Sequence, residues 1–236
     1  MQFDPPLVRG ILVRRYKRFL ADVVLPDGQE ITAHCPNPGS MKTCAEPGWV
    51  AWVSPANNPK RKLKWTLEIV ESPHTPILVN TSRPNQIVHS AIQSGHVPEL
   101  AGYSTLRTEV RYGENSRIDL LCSAPSRPAC YVEVKNVTYL YSQGVAAFPD
   151  GVSKRAAKHM VELASMVEQG HRAVVLFLVS RTDVDCMKPA DHIDAKYGIA
   201  LRAAVSTGVE ALAYRLEFTV TGVELGPRIA IHLQQT

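Results

Sequence analysis

Thr108-Glu109-Val110, Arg117-Ile118-Asp119-Leu120-Leu121 and Tyr131-Val132-Glu133-Val134-Lys135 are the three runs whose reading decides the fold. Each reads as a strand, and each carries a carboxylate, which strands normally avoid. Side chains alternate across a strand, so Glu133 and Lys135 share one face. Gly113-Glu114-Asn115 and Pro125-Ser126-Arg127-Pro128 read as turns, which predicts a three-stranded meander at about 105–112, 117–123 and 130–137. Neighbouring strands lie about 5 Å apart, so Asp119 and Glu133 on one face can share a hard divalent cation such as Mg²⁺. That cation would activate a water and neutralise a scissile phosphate, with Lys135 positioning the water or offsetting transition-state charge. The bland alternative is an exposed strand bearing a solvated Glu-x-Lys pair. The apolar neighbours Ile118, Leu120 and Leu121 argue against it. Glu109 is a weaker member, because Thr108-Glu109-Val110-Arg111 also fits simple alternation toward solvent.

Outward from the meander, Pro84 to Leu100 carries Ile87, Val88, Ala91 and Ile92 at helical spacing, with Gly95 and Pro98 breaking its end. A second helix is predicted over about 153–169, with Val152, Ala156, Met160, Leu163 and Val167 as its apolar stripe and Gly170 as its stop. Lys154, Arg155, Lys158 and His159 fall outside that stripe. Cations are disfavoured at a helix N-terminus, so their placement points to phosphate binding, against a plain solvated face. Ala173 to Val179 reads as a strand buried on both faces. A helix near 194–207 and strands near 211–220 and 223–233 complete the order α-β-β-β-α-β, then α-β-β. Asp183, Asp185, Asp191 and Asp194 are read as a polar loop and helix cap.

Residues 1–80 form the other predicted domain, and 81–236 the domain of the carboxylates. Strand-like runs start at Val8, Phe19, Glu30, Trp49 and Lys64, with Pro26-Asp27-Gly28 as a turn. Five short strands suggest a small barrel; an OB-fold leads, and an SH3-like barrel fits nearly as well. Between strands lies His34-Cys35-Pro36-Asn37-Pro38-Gly39-Ser40-Met41, a polar loop where Asn37 and Ser40 are candidate phosphate contacts or ordinary turn residues. Basic clusters at Arg14-Arg15-Lys17-Arg18 and Lys60-Arg61-Lys62-Lys64 lie near Trp49, Trp52 and Trp65. Such groups bind single strands, although tryptophan in a small barrel is more often core.

Composition sets the remaining bounds. With 236 residues, 45% hydrophobic and 20% charged, the chain can bury a core and is not compositionally disordered. Its net charge of +4 is compatible with nucleic acid without requiring it. Five scattered cysteines with no CxxC pair argue against zinc ribbons and disulfide frameworks, and favour a reducing cytosol. The start Met1-Gln2-Phe3-Asp4-Pro5-Pro6 lacks signal-peptide features, and no apolar run approaches a membrane span. A soluble cytoplasmic protein is expected. GxSxG, Walker A and dinucleotide fingerprints are absent.

Six stretches carry a resemblance to a known family: His34 to Met41, Val79-Asn80-Thr81-Ser82-Arg83-Pro84-Asn85, Ser116 to Leu121, Tyr131 to Thr138, Phe148-Pro149-Asp150-Gly151-Val152 and Arg155-Ala156-Ala157-Lys158-His159. In order and across the chain, they resemble the sugar fermentation stimulation protein A family of bacteria and archaea. The resemblance implies an OB-fold-like barrel followed by an αβββαβ domain similar to PD-(D/E)xK restriction endonucleases. It implies DNA binding, with Asn37, Ser40, Arg83 and the α-helical basic group as contacts. Asp119 matches the first metal-binding acid of those nucleases, Glu133 and Lys135 match their E-x-K pair, and Glu109 is a plausible additional acid. Mg²⁺ or Mn²⁺ is the implied cofactor. Two departures stand out: Asp119 follows Ile118 rather than proline, and Gly151 occupies a position where alanine is expected. The expected function is a metal-dependent nuclease. The alternative is a non-catalytic DNA-binding regulator of sugar (maltose) metabolism genes on a nuclease-like scaffold. DNA is favoured over RNA, and strand preference and the choice between monomer and homodimer stay open.

Overall fold

The computed structural model describes residues 1–56, 58, 60–113 and 116–234. The Glu114 and Asn115 part of the first expected hairpin turn lies outside the described residues.

Five strands close the N-terminal barrel: β1 (Val8–Tyr16), β2 (Leu20–Val24), β3 (Glu30–His34), β4 (Val50–Pro55) and β5 (Trp65–Glu71). They pair in the order β3-β2-β1-β4-β5, and a short parallel contact of β3 with β5 (Ala33↔Trp65, His34↔Thr66) shuts the barrel. That closure makes it an OB-fold rather than an SH3-like barrel. Gly10 lets β1 pass against β2, since a Cβ there would lie 2.5 Å from Val23 Cγ1. The interior holds Leu12, Ala21, Val23, Ala33, Val53 and Leu67. Trp49 and Trp65 pack against it, and Trp52 Nε1 donates to Glu71, so the three tryptophans are packing residues rather than an open stacking platform. A short strand β6 (Pro76–Leu78), absent from the sequence expectation, extends the sheet beyond β5.

From Pro84 the chain builds the second domain. Helix α1 (Pro84–Gln93) has proline in its first turn, where the missing N–H costs nothing. It is shorter than expected, and the Pro98–Leu100 segment is a separate 3₁₀ turn. The meander then appears as β7 (Thr105–Tyr112), β8 (Ser116–Ala124) and β9 (Arg127–Val137). Two strands that were not anticipated, β10 (Tyr139–Ser142) and β11 (Gly144–Phe148), precede α2 (Lys154–Glu168). Next come β12 (Arg172–Val179), β13 (Val184–Pro189), α3 (Asp191–Thr207), β14 (Glu210–Phe218), β15 (Val223–Arg228) and β16 (Ala230–Ile231).

The main sheet runs β15-β14-β12-β9-β8-β7, with β9 and β14 parallel to the central β12. The fully buried β12 is the run Ala173 to Val179. One face carries α1 over Leu120, Val132 and Leu176; the other carries α2 and α3 over Ile118, Val175 and Phe177. A second small sheet, β10-β11-β13-β16, flanks the domain. It corrects the reading of residues 183–194 as loop and cap. Asp185 sits exposed in β13, Asp183 pairs with Arg181, and Asp191 pairs with Arg202. Only Asp194 caps: it is a kink in α3 with φ −143°, and its carboxylate accepts from Tyr197 N and Ser153 N. Among the described residues, no helix is long and apolar enough to cross a membrane.

The barrel and the second domain share a seam. Ile69 and Leu78 belong to the cluster beneath α1, with Met1, Phe3, Leu7 and Trp52 packed against it. The loop after β3 docks onto the Asp150 turn: Ser40 Oγ donates to Asp150 O at 2.7 Å, and Met41 N to Asp150 Oδ2 at 3.1 Å. Gly39 is required there, because a Cβ would sit 2.4 Å from Asp150 Oδ2.

Candidate metal centre and nucleic-acid interface

The carboxylates meet where the β8–β9 ladder stops. Regular pairing reaches Leu120↔Val132, and the next free donor on β9, Val134 N, goes to Asp119 Oδ2 at 2.8 Å. The side chain thus replaces a ladder bond at the point where the strands part. Asp119 Oδ1 accepts from Asn85 Nδ2 at 2.8 Å, which ties it to the first turn of α1. Asp119 is half-buried, while Glu133 and Lys135 are buried at 3% and 9% exposure on the α2 side.

Glu133 is held through one oxygen. Its Oε1 accepts from Lys135 Nζ at 2.7 Å and is bonded to His159 Nδ1 of α2. Its Oε2 is buried with no hydrogen-bond partner among the described residues. A buried carboxylate oxygen left without a donor is costly, so an unpartnered one calls for an occupant. Burial works to raise the Glu133 pKa, but the His159 hydrogen bond and the Lys135 ammonium outweigh it and hold the group below the usual carboxylate range. Asp119 goes the other way: burial and the charge of Glu133 push it up to about 6, against the opposing Val134 and Asn85 hydrogen bonds and Lys135. The two acids are therefore coupled electrostatically, as groups beside one cation are. Tyr112 and Tyr197 add buried hydroxyls without partners, both kept protonated by burial and by the charge of Glu133.

Several expected site residues have other occupations. Glu109 is exposed at φ +54°, in a local break of the pairing opposite Asp119 between the pairs Thr108↔Leu120 and Val110↔Ile118, and it does not join the carboxylate pair. His159 is not a surface phosphate contact: it is 4% exposed and bonds Glu133, with Arg155 Nε donating to its Nε2 at 3.3 Å. The apolar stripe of α2 includes it, and Val152 at 75% exposure lies outside. The Arg83 guanidinium makes a bidentate pair with Glu68, at 2.6 and 2.9 Å, and Glu68 is fully buried in the barrel. Asn37 is 4% exposed and braces its own loop, donating to Val79 O and accepting from Gly39 N. Lys154, Arg155 and Lys158 remain exposed on α2, with Lys158 3.4 Å from Glu162. Ser40 lines an interdomain cleft of ≈ 510 Å³ with Arg15, Arg18, Asn136, Asp150 and Ser153.

Asn85 and the inward role of His159 were not read from the sequence. His159 had a signal, since Ala156, His159, Met160 and Leu163 fall on one helical face. Asn85 had none beyond its place in the Val79–Asn85 motif.

Two family models cover the chain in tandem. The N-terminal OB domain of SfsA matches residues 13–79, and the sugar fermentation stimulation protein RE domain matches 82–222. The chain belongs to the sugar fermentation stimulation protein family. A family homologue from Maricaulis maris is 49% identical over the full length of both chains. One from Rhodospirillum centenum is 53% identical over 94% of this chain and 96% of its own. The structure of Pyrococcus furiosus SfsA in complex with Ca²⁺ is 26% identical, covers 98% of each chain, and superposes with a TM-score of 0.89. Both expected domains, the OB barrel and the restriction-endonuclease-like domain, are therefore family features.

Proposed function

We propose that this protein binds DNA and hydrolyses its phosphodiester bonds with a divalent cation, Mg²⁺ or Mn²⁺. The observation carrying this reading is Glu133 Oε2, a buried, partnerless oxygen on a carboxylate whose charge raises the pKa of Asp119. Among the described residues no cluster of three or more acidic, histidine or cysteine side chains is placed to hold a metal. Two carboxylates suit a hard cation that keeps several waters and takes a further ligand from substrate phosphate. The Ca²⁺ complex of the Pyrococcus furiosus relative supports a divalent cation in this fold.

Asp119 and Glu133 would hold the cation, which supplies charge neutralisation and a more acidic water. Lys135, pinned by Glu133 Oε1, keeps its ammonium beside the site for the developing charge of the phosphate. His159 fixes Glu133 from the helix side and leaves Oε2 as the available oxygen. Asn85 fixes Asp119 from the other face. Lys154, Arg155 and Lys158 on α2 contact backbone phosphates, and Ser40 in the interdomain cleft is placed to join them.

The decisive experiment offers purified protein single- and double-stranded DNA with Mg²⁺, with Mn²⁺ and with chelator. Cleavage that needs metal and disappears in Glu133→Gln and Lys135→Ala is the expected result; cleavage that survives either change removes these residues from the chemistry. The name of the curated relatives favours a second reading, a DNA-binding regulator of sugar-utilisation genes. Salt-sensitive binding without cleavage under any metal would select that reading. Matched DNA and RNA competitors separate the two polymers.

A further inference from the structure

We propose that Arg111 and Arg117, facing each other across the β7–β8 hairpin, form a phosphate clamp for the nucleic-acid backbone. This rests on the nucleic-acid reading above and adds a binding locus outside the α2 basic group and the metal centre. The two residues are direct cross-strand partners, so both side chains project from the same sheet face. Both are exposed, and neither makes an ion pair or hydrogen bond with any described residue. Like charges directly opposite on antiparallel strands destabilise the pair. The fold therefore keeps a repulsive contact that a single substitution would remove.

The chemistry and position of the pair select the ligand. Two planar guanidiniums with no partner among the described residues match a phosphodiester, whose oxygens accept from both at once. The two arginines border a recess of ≈ 470 Å³ at the hairpin end, together with Tyr112, Gly113 and Ser116. Val110 and Ile118, the adjoining pair, turn to the α2 face, which sends Arg111 and Arg117 to the face that carries α1. Arg117 stands two residues from Asp119 along β8, roughly 7 Å. The clamp thus lies on the sheet face opposite Glu133 and Lys135, and holds a stretch of the backbone apart from the metal centre.

Binding of a labelled DNA oligonucleotide, measured without divalent metal across 50 to 200 mM salt, tests the clamp independently of cleavage. Arg111→Ala/Arg117→Ala is expected to weaken binding several-fold and to reduce the salt slope by about one. Arg117→Glu replaces repulsion with a cross-strand ion pair. It is expected to raise Tm while weakening binding more than Arg117→Ala does. Affinity and slope equal to wild type in both variants overturn the clamp, as does Arg117→Glu lowering Tm and affinity together. Wild-type protein that binds no DNA at any salt overturns the nucleic-acid reading itself and the clamp with it.

Discussion

Val134 gives its backbone N–H to Asp119 Oδ2 at 2.8 Å, so the carboxylate sits where the chain itself opens the sheet. β8 and β9 pair as far as Leu120↔Val132, and Asp119 takes up the first donor left over. Its position is thus set by backbone geometry on one side and by a single amide, Asn85, on the other.

Asn85 is a positioning residue with little share in the core, being only half-buried in the first turn of α1. Asn85→Ala is expected to reduce metal-dependent cleavage about 10-fold, the usual effect of losing a hydrogen bond that orients a metal ligand. Thermal unfolding should stay within a few degrees of wild type. A variant with full activity would show that Val134 alone orients Asp119.

The pKa of Asp119 predicts a definite pH signature. Its folded value, about 6, lies above the ordinary carboxylate value of 3.8. Between these limits the folded protein holds a proton that the unfolded chain has released, so this group makes stability fall as pH rises, and the loss is complete above pH 6. A cation relieves it by favouring the ionised form. Metal-free unfolding free energy should therefore rise more steeply, or fall less, between pH 4 and 6 in Asp119→Asn than in wild type. Mg²⁺ or Mn²⁺ should raise the wild-type Tm more at pH 7.5 than at pH 5, and should leave Asp119→Asn unmoved. Calorimetry at the two pH values checks both.

His159 and Lys154 lie on one helix with different tasks, one on Glu133 and the other in solvent. His159→Ala is expected to lower kcat with DNA affinity nearly unchanged, and His159→Asn to recover part of it by restoring a donor to Glu133. Lys154→Ala should instead weaken binding and flatten its salt dependence, with kcat at saturating DNA preserved. Equal effects of both substitutions on affinity would return His159 to the phosphate-binding group.

Arg83 carries a stability prediction. Its partner Glu68 is fully buried and also accepts from Ser54 Oγ and Asn80 Nδ2. Removing one member of a buried pair strands the other's charge, so Arg83→Ala should cost about 3 kcal/mol of unfolding free energy. Arg83→Met/Glu68→Leu should cost less than either single change. Chemical denaturation of the three variants measures this, and a DNA-binding defect of Arg83→Ala that vanishes at low temperature would trace to the barrel's stability.

The meander, its flanking helices and the shared face of Glu133 and Lys135 were legible because strand alternation leaves few options once acids interrupt apolar runs. The same signal stands at Glu68, inside Trp65-Thr66-Leu67-Glu68-Ile69-Val70. It marks a buried ion pair rather than a cation site, since an acid in a strand says only that some positive partner is near. His159 looked polar and was placed outside, although its spacing put it on the buried stripe. Asn85 was invisible because helix position alone does not say which sheet residue a half-buried amide meets. The strands β10, β11 and β13 carry weak strand signals: β10 is only four residues long, β11 is rich in glycine and alanine, and β13 holds Asp185, Lys188 and Pro189, which resemble a loop.

Ile69 and Leu78 of the barrel lie in the same apolar cluster as the helix α1 that steadies Asp119. The two halves are therefore poor candidates for exchange as separate modules. A cut near residue 80 would bare an oily surface on each fragment and loosen the helix whose Asn85 holds Asp119. The barrel is thus part of what holds Asp119 in place, as much as the strands that bear the acids.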